Sequence, residues 1–364
     1  MAMRIDPVRA GYAFANRFVN VVVRLPGGAA VRTAGRCGGM SSSVLDHLAA
    51  GRDVPSWPAA LFAPGRVPPD GHLVAEHLRA RQLDSFRTLS ASRFITWSVL
   101  PDADRGPLAG VRTRTRRELP GVLRALAQGR PVVLGMVVAR HVLRSGDNHQ
   151  VVATSFTRDD AGGVVLTLLD PNTPGREVTL VETPAGWRAS NGRLWRGFFH
   201  HAYAPRTPPP LPGASRRPSA RVRSGASLAL VHVATGRLLV VDAARPALRA
   251  TGTTTWTPSA PDGPELLGDG AVVRLVAGGT GPQDGTGALG LDGGVPVVTR
   301  DDAASDPEAP TWRVVVDGGR TWREGSRVRL VDTATGALLG GAPDGPTATF
   351  TPDASTWWTA ADRP

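Results

Sequence analysis

The chain has 364 residues, 41% of them apolar, with 43 glycines and 32 prolines. That is more than one domain usually holds, and the composition describes a turn-rich globular protein of two domains while excluding a disordered one. A single cysteine excludes an intramolecular disulfide framework and a cysteine-ligated zinc cluster. The net charge of +11 is dispersed as arginine, in RTRTRRE (112–118) and ASRRPSARVR (214–223), without interleaved aromatics. It reads as solvated arginine, and no nucleic-acid partner is expected.

The first residues, MAMRIDPVRAGYAFANRF, lack an uninterrupted apolar stretch, and no run of about 18 apolar residues occurs anywhere. The expectation is a soluble chain without a Sec-type signal or transmembrane segment, cytoplasmic by default, although signal-less export is compatible with it. In GRCGGMSSSVLDHLAAG (35–51), Met40, Val44, Leu45, Leu48 and Ala49 trace one helical stripe, and Gly51 supplies a stop. Cys37 therefore sits at a helix N-terminus, where unpaired N–H groups and the macrodipole favour a thiolate. Gly38 and Gly39 read as leaving the backbone open to a substrate.

A second helix is predicted over 117–129, followed by a buried strand in PVVLGMVVA (131–139). Apolar stretches on either side of Asp159-Asp160-Ala161-Gly162-Gly163 predict a β-hairpin. A turn centred between Asp159 and Asp160 would set Phe156 opposite Gly163 and His149 opposite Asp170, close enough for a carboxylate to orient an imidazole. A bulge would shift that register by one. Asn172, beyond Pro171, is an alternative orienter. The other histidines, His47, His72, His77, His141, His200, His201 and His232, read as surface or structural, and no His/Asp/Glu spacing suggests a metal.

Residues 204–221, proline-rich and without apolar periodicity, read as a linker between domains at 1–203 and 222–364. Beyond it lies an internal repeat whose copies start near Gly225, Gly270 and Gly325. Each copy carries a leucine (Leu230, Leu275, Leu330), a Thr-Gly turn (Gly236, Gly281, Gly336) and a closing Thr-Trp pair (Trp256, Trp312, Trp357). Such units bury their apolar faces only by associating. Three of them over 222–364 resemble a β-trefoil of the ricin-type-lectin kind, which implies a possible glycan or lipid ligand; the Gln-x-Trp signature is absent.

Cysteine at a helix start, histidine on a sheet and a carboxylate across from it form the nucleophile, base and orienter of thiol hydrolases. In that order GRCGGMS (35–41), NHQVVA (148–153) and LLDPNTPG (168–175) resemble the papain-like cysteine peptidases, with uncharacterised bacterial hydrolases and bacteriocin-processing peptidase domains the nearest in layout. The resemblance covers about 8–203. It implies an α+β papain-like domain, a peptide or protein substrate, no cofactor, and hydrolysis of an amide bond through a thioester by Cys37, His149 and Asp170. Acyl transfer of the transglutaminase kind uses the same residues. The family's oxyanion glutamine is missing, its position being Val31; Asn16 is the preferred substitute, and Asn20 reads as a structural amide. The competing expectation is a non-catalytic glycan- or lipid-binding protein on a degenerate scaffold.

Overall fold

The protein is described by a computed structural model covering residues 5–24, 30–214, 220–242, 245–260, 263–278, 287–300 and 309–361. It divides into two compact units, one of residues 1–54 and 77–208, the other of residues 55–76 and 209–364. The division near 208 falls within the expected linker, of which 215–219 lie outside the described residues. Residues 55–76, expected in the N-terminal domain, belong instead to the second unit. Trp57 is fully buried there and donates its indole N–H to Pro212 O at 2.8 Å, while the His72 ring lies 4.5 Å from it. Leu73 N–H reaches Thr235 O at 2.9 Å. This segment has little periodicity to announce where it packs.

In the first unit, helix α1 is Pro7–Ala10, strands β1 and β2 (Val19–Arg24, Ala30–Ala34) form an antiparallel ribbon, and α2 is Cys37–Ala49. Helix α3 (Leu73–Phe86) crosses the 76/77 division, and α4 (Ser92–Val99) and α5 (Val111–Ala127) follow. The antiparallel sheet comprises β3 (Val132–Val137), β4 (His149–Arg158), β5 (Val164–Leu169), β6 (Glu177–Thr183), β7 (Gly186–Ala189), β8 (Leu194–Trp195) and β9 (Gly197–His201). Its order is β8-β7-β6-β5-β4-β3-β9. Apolar residues of α5 (Val122, Ala125, Leu126) pack on Leu134, Val151, Leu166 and Phe198 to make its core.

The glycines after Cys37 serve packing rather than access. A Cβ on Gly39 would stand 2.0 Å from Leu78 O, and one on Gly38 would stand 2.5 Å from both Gln150 Nε2 and Ser85 Oγ. Glycine is therefore what lets α2 approach α3 and β4 so closely.

The second unit holds a twelve-stranded antiparallel sheet. Its strands are β10 (Ala229–His232), β11 (Leu238–Asp242), β12 (Arg245–Arg249), β13 (Thr255–Ser259), β14 (Val272–Gly278), β15 (Gly287–Asp292), β16 (Val295–Arg300), β17 (Trp312–Val316), β18 (Val328–Asp332), β19 (Leu338–Ala342), β20 (Gly345–Thr349) and β21 (Trp358–Ala361). Each repeat supplies four strands. Gly225, Gly270 and Gly325 have φ of 81°, 80° and 73°, so the same left-handed turn opens each copy. Leu230, Leu275 and Leu330 are all fully buried in one core. Gly281 lies outside the described residues.

One repeat position is corrected. Leu228, Val273 and Val328 pair with Trp256, Trp312 and Trp358, and those three indoles donate to Leu239 O, Leu289 O and Leu339 O at 2.7 to 2.8 Å. The third closing tryptophan is thus Trp358, not Trp357. Hydrogen bonding and burial select it, whereas the Thr-Trp pair is a coincidence of neighbours.

The expected fold class, an α+β papain-like domain followed by an all-β trefoil, is also corrected. The described chain is mostly β, built on two large antiparallel sheets with few helices, and it contains no clear papain-like α+β domain, although helix and sheet are mixed in the first unit. Local periodicity identifies strands and helices, but their arrangement is decided by contacts between distant segments. No described helix is long and apolar enough to cross a membrane.

Candidate active site

Cys37 is the first residue of α2, with Arg36 as N-cap, and is half-buried. No side chain caps the helix at Arg36; Asn16 Oδ1 accepts the Arg36 N–H at 2.5 Å, and Gln82 Oε1 accepts the Gly39 N–H at 2.9 Å. These two amides occupy orphan donors at the helix start. Asn16 N–H also donates to Pro171 O at 2.9 Å, tying the helix start to the loop that follows Asp170.

His149 opens β4 at a position set by its neighbour. Asn148 Oδ1 accepts the N–H groups of Val138 and Ala139 at 2.9 and 3.0 Å, and its amide donates to Phe94 O and Ser98 Oγ at 3.1 and 3.0 Å. With its capacity filled, Asn148 holds the chain where the strand begins. His149 Nε2 lies 2.8 Å from Asp170 Oδ1, and the ring is also hydrogen-bonded to the Cys37 thiol. Cys37, His149 and Asp170 are thereby brought together.

The expected hairpin register does not occur. Arg158 pairs with Val164 and Phe156 with Leu166, and the ladder slips by one at Thr154, so that Ala153 pairs with Leu168. The loop is longer than expected and Thr154 is a bulge residue. His149 and Asp170 are consequently not directly opposed; Asp170 follows the last residue of β5 and reaches the imidazole from there.

Asn172 touches the same group. Its side-chain Nδ2 lies 3.2 Å from His149 Nε2, while its backbone N–H donates to Asp170 Oδ1 at 2.8 Å. Two further contributors carry no sequence signal. Asn191 Nδ2 donates to Asp170 Oδ2 at 2.8 Å, and the Trp195 ring stacks on His149 with centroids 5.9 Å apart and planes at 10°. Both come from the β7 to β8 region, about 40 residues after His149, where no local pattern marks them. A cavity of about 30 Å³, room for water, lies beside Asp170 and is lined in part by Tyr12, Ser41 and Arg176. The side chains of Val31 and Asn20 lie outside the described residues.

The electrostatics favour an ionised pair. Burial pushes the Cys37 thiol up, but the hydrogen bond and charge of His149, with the backbone N–H groups of Gln150 and Gly38, bring it below its ordinary value. Burial opposes charge on His149 as well, yet bonds to Asp170 and Cys37 raise the imidazole from 6.5 to about 10. Asp170, despite burial, is held below 3.8 by His149, Asn172 and Asn191. Among the described residues no His/Cys/Asp/Glu group could hold a metal ion.

The signs of these shifts define a window. The raised histidine contributes stability that is complete below pH 6.5 and lost as pH rises through about 10. The lowered carboxylate contributes stability that is complete above pH 3.8 and lost as pH falls through its lower folded value. In Asp170→Asn the His149 midpoint is expected to fall from about 10 toward 6.5, followed by ring ¹⁵N chemical shifts. An unmoved midpoint would show that Asp170 does not hold the imidazolium.

No protein-family model matches the chain, and no curated protein matches it. Solved structures do. The SDF2-like protein from Arabidopsis thaliana is 18% identical over 39% of this chain and 95% of its own, with a TM-score of 0.30. The S. cerevisiae protein O-mannosyltransferase Pmt1-Pmt2 complex bound to the sugar donor is 16% identical over 44% of this chain and 27% of its own, with a TM-score of 0.33. SeviL bound to asialo-GM1 saccharide is 11% identical over 39% and 98%, with a TM-score of 0.28. These similarities are too low to bear on the chemistry.

Proposed function

We propose that the first unit is a thiol-dependent acyl-transfer enzyme, most simply a hydrolase of amide or peptide bonds in a peptide or protein substrate. The observation that carries the reading is the hydrogen-bonded series Cys37, His149, Asp170 at the start of a helix. The Cys37 thiolate attacks the carbonyl carbon, and the carbonyl π pair moves onto oxygen. As the tetrahedral intermediate collapses, the imidazolium of His149 gives its proton to the leaving amine and a thioester remains. Neutral His149 then takes a proton from water as its oxygen attacks the thioester carbonyl, and collapse of that second tetrahedral intermediate breaks the C–S bond, releasing the carboxylic acid and leaving Cys37 as thiolate beside the His149 imidazolium. An amine replacing that water makes the same site a transferase.

Asp170 holds the imidazole orientation and stabilises its charged form. Cys37 N–H supplies one oxyanion contact. Asn16 is the second candidate, because its oxygen is taken by Arg36 while its Nδ2 lies beside Gly35, 2.7 Å from where a Cβ there would stand.

p-Nitrophenyl acetate tests the reading. At pH 7 a burst of nitrophenolate stoichiometric with the chain is expected, with an acetyl thioester found on Cys37 by peptide mass spectrometry and none in Cys37→Ala. A folded chain that stays unacetylated while its urea-unfolded form reacts with iodoacetamide would favour the non-catalytic alternative.

A further inference from the structure

The third repeat departs from the other two at one surface position. With the repeats aligned on the Leu228, Val273 and Val328 pairings, Trp357 stands where the others have Thr255 and Thr311. On the facing strand, Arg327 and Arg329 stand where the first repeat has Ser227 and Ala229 and the second has Val272 and Arg274. Only the third copy combines an extra indole with two arginines.

The three side chains are in contact. The Arg329 guanidinium carbon lies 3.8 Å from the centroid of the Trp357 ring, and that of Arg327 lies 4.9 Å from it. All three residues are half-buried. Arg327 is neutralised by Asp317, to which its Nε donates at 2.8 Å. Arg329 is not: its Nε donates to the neutral Thr356 Oγ1 at 3.0 Å, and among the described residues it forms no ion pair. Burial disfavours its charge and outweighs the nearby Asp317 and Asp353, which favour it, while Arg327 adds to the opposition. A partly desolvated guanidinium, stiffened by an aromatic face and a hydroxyl, is left with its Nη donors for an external acceptor.

We propose that Arg329, supported by Trp357 and Arg327, is the anchor of a binding site for a small ligand carrying one oxyanion group, a carboxylate, sulfate or phosphate. Planar guanidinium donors match such groups in bidentate fashion. A polyanion fits less well, because the exposed Asp353 carboxylate acts electrostatically on Arg329 and would repel a chain of charges. The site lies in the second unit and does not depend on the thiol chemistry of the first.

The full chain is titrated with sodium acetate, sulfate and phosphate at constant ionic strength, following tryptophan fluorescence and isothermal calorimetry. Saturable binding of at least one anion is expected, weakened about tenfold or more in Arg329→Gln. Trp357→Thr should also weaken it, and because threonine occupies this position in the other repeats, that variant should fold; Arg329→Lys controls for charge without the fork. The preferred anion distinguishes carboxylate from tetrahedral ligands. Absence of saturable binding, affinity unchanged in both Arg329→Gln and Trp357→Thr, or binding confined to heparin or duplex DNA would overturn the proposal.

Discussion

Replacing His149 with alanine is expected to lower the rate of Cys37 acylation by about 10³-fold or more, the scale seen when one member of a nucleophile and base unit is removed. The loss has two parts. Without the bond and charge of His149, burial dominates and the thiol returns to or above its ordinary range, so little thiolate remains at neutral pH. The leaving group also loses its proton donor. Iodoacetamide separates the two, since alkylation needs the thiolate and no general acid. Its rate should fall far less, because a more basic thiolate is scarcer but more nucleophilic, while its pH midpoint should rise. A midpoint identical in wild type and His149→Ala would remove the ion pair from the account. A lowered melting temperature should accompany the loss, because the paired imidazole also contributes stability at neutral pH, so acylation is compared at a temperature where both chains are folded.

Arg81→Ala is expected to destabilise the first unit by about 3 to 5 kcal/mol, the usual effect of stripping one partner from a buried ion pair. Asp46 on α2 and Arg81 on α3 are 1% and 3% exposed, and Arg81 Nε lies 2.7 Å from Asp46 Oδ2. Arg81 also donates to Ala204 O at 2.9 Å and pairs with Asp84 at 2.9 Å. Asp46 Oδ1 further accepts the Tyr203 hydroxyl and the Arg206 N–H. One carboxylate thus joins α2, α3 and the segment after β9, and its lone charge would be costly to leave buried. Urea unfolding followed by far-UV circular dichroism measures the effect. Asp46→Leu with Arg81→Leu should recover part of the loss; a single-variant change within about 1 kcal/mol would mean that water replaces Arg81. Because α2 carries Cys37, slower acylation in Arg81→Ala should accompany the destabilisation.

Much of the site is legible in the sequence. The lone cysteine at a helix start, the histidine after Asn148 and the aspartate before Pro171 are chemical types in a meaningful order, and they do come together. They do not meet through a directly opposed pair, because the length of the turn and the bulge at Thr154 are decided by pairing along the whole ladder. Trp195 and Asn191 escape a reading of the sequence because a stacking face and an amide donor look the same there whether or not they meet a histidine. Gly38 and Gly39 suggest access for a substrate, yet their role is close packing against Gln150, Ser85 and Leu78.

The second unit shows the same division. Its three copies, with their glycine turns and buried leucines, follow from a pattern that recurs along the chain. Which tryptophan closes the third copy does not, since Trp357 and Trp358 are adjacent and identical in type; the bond to Leu339 O selects the second and leaves the first against Arg327 and Arg329. By itself the sequence determined the three copies with their glycine turns and the helix that begins at Cys37, and it offered residue types suited to a nucleophile, a base and an orienter. The tertiary structure decided the two-sheet architecture, the membership of 55–76 in the second unit, the register and the partners, because those depend on packing and hydrogen bonds between residues far apart in the chain.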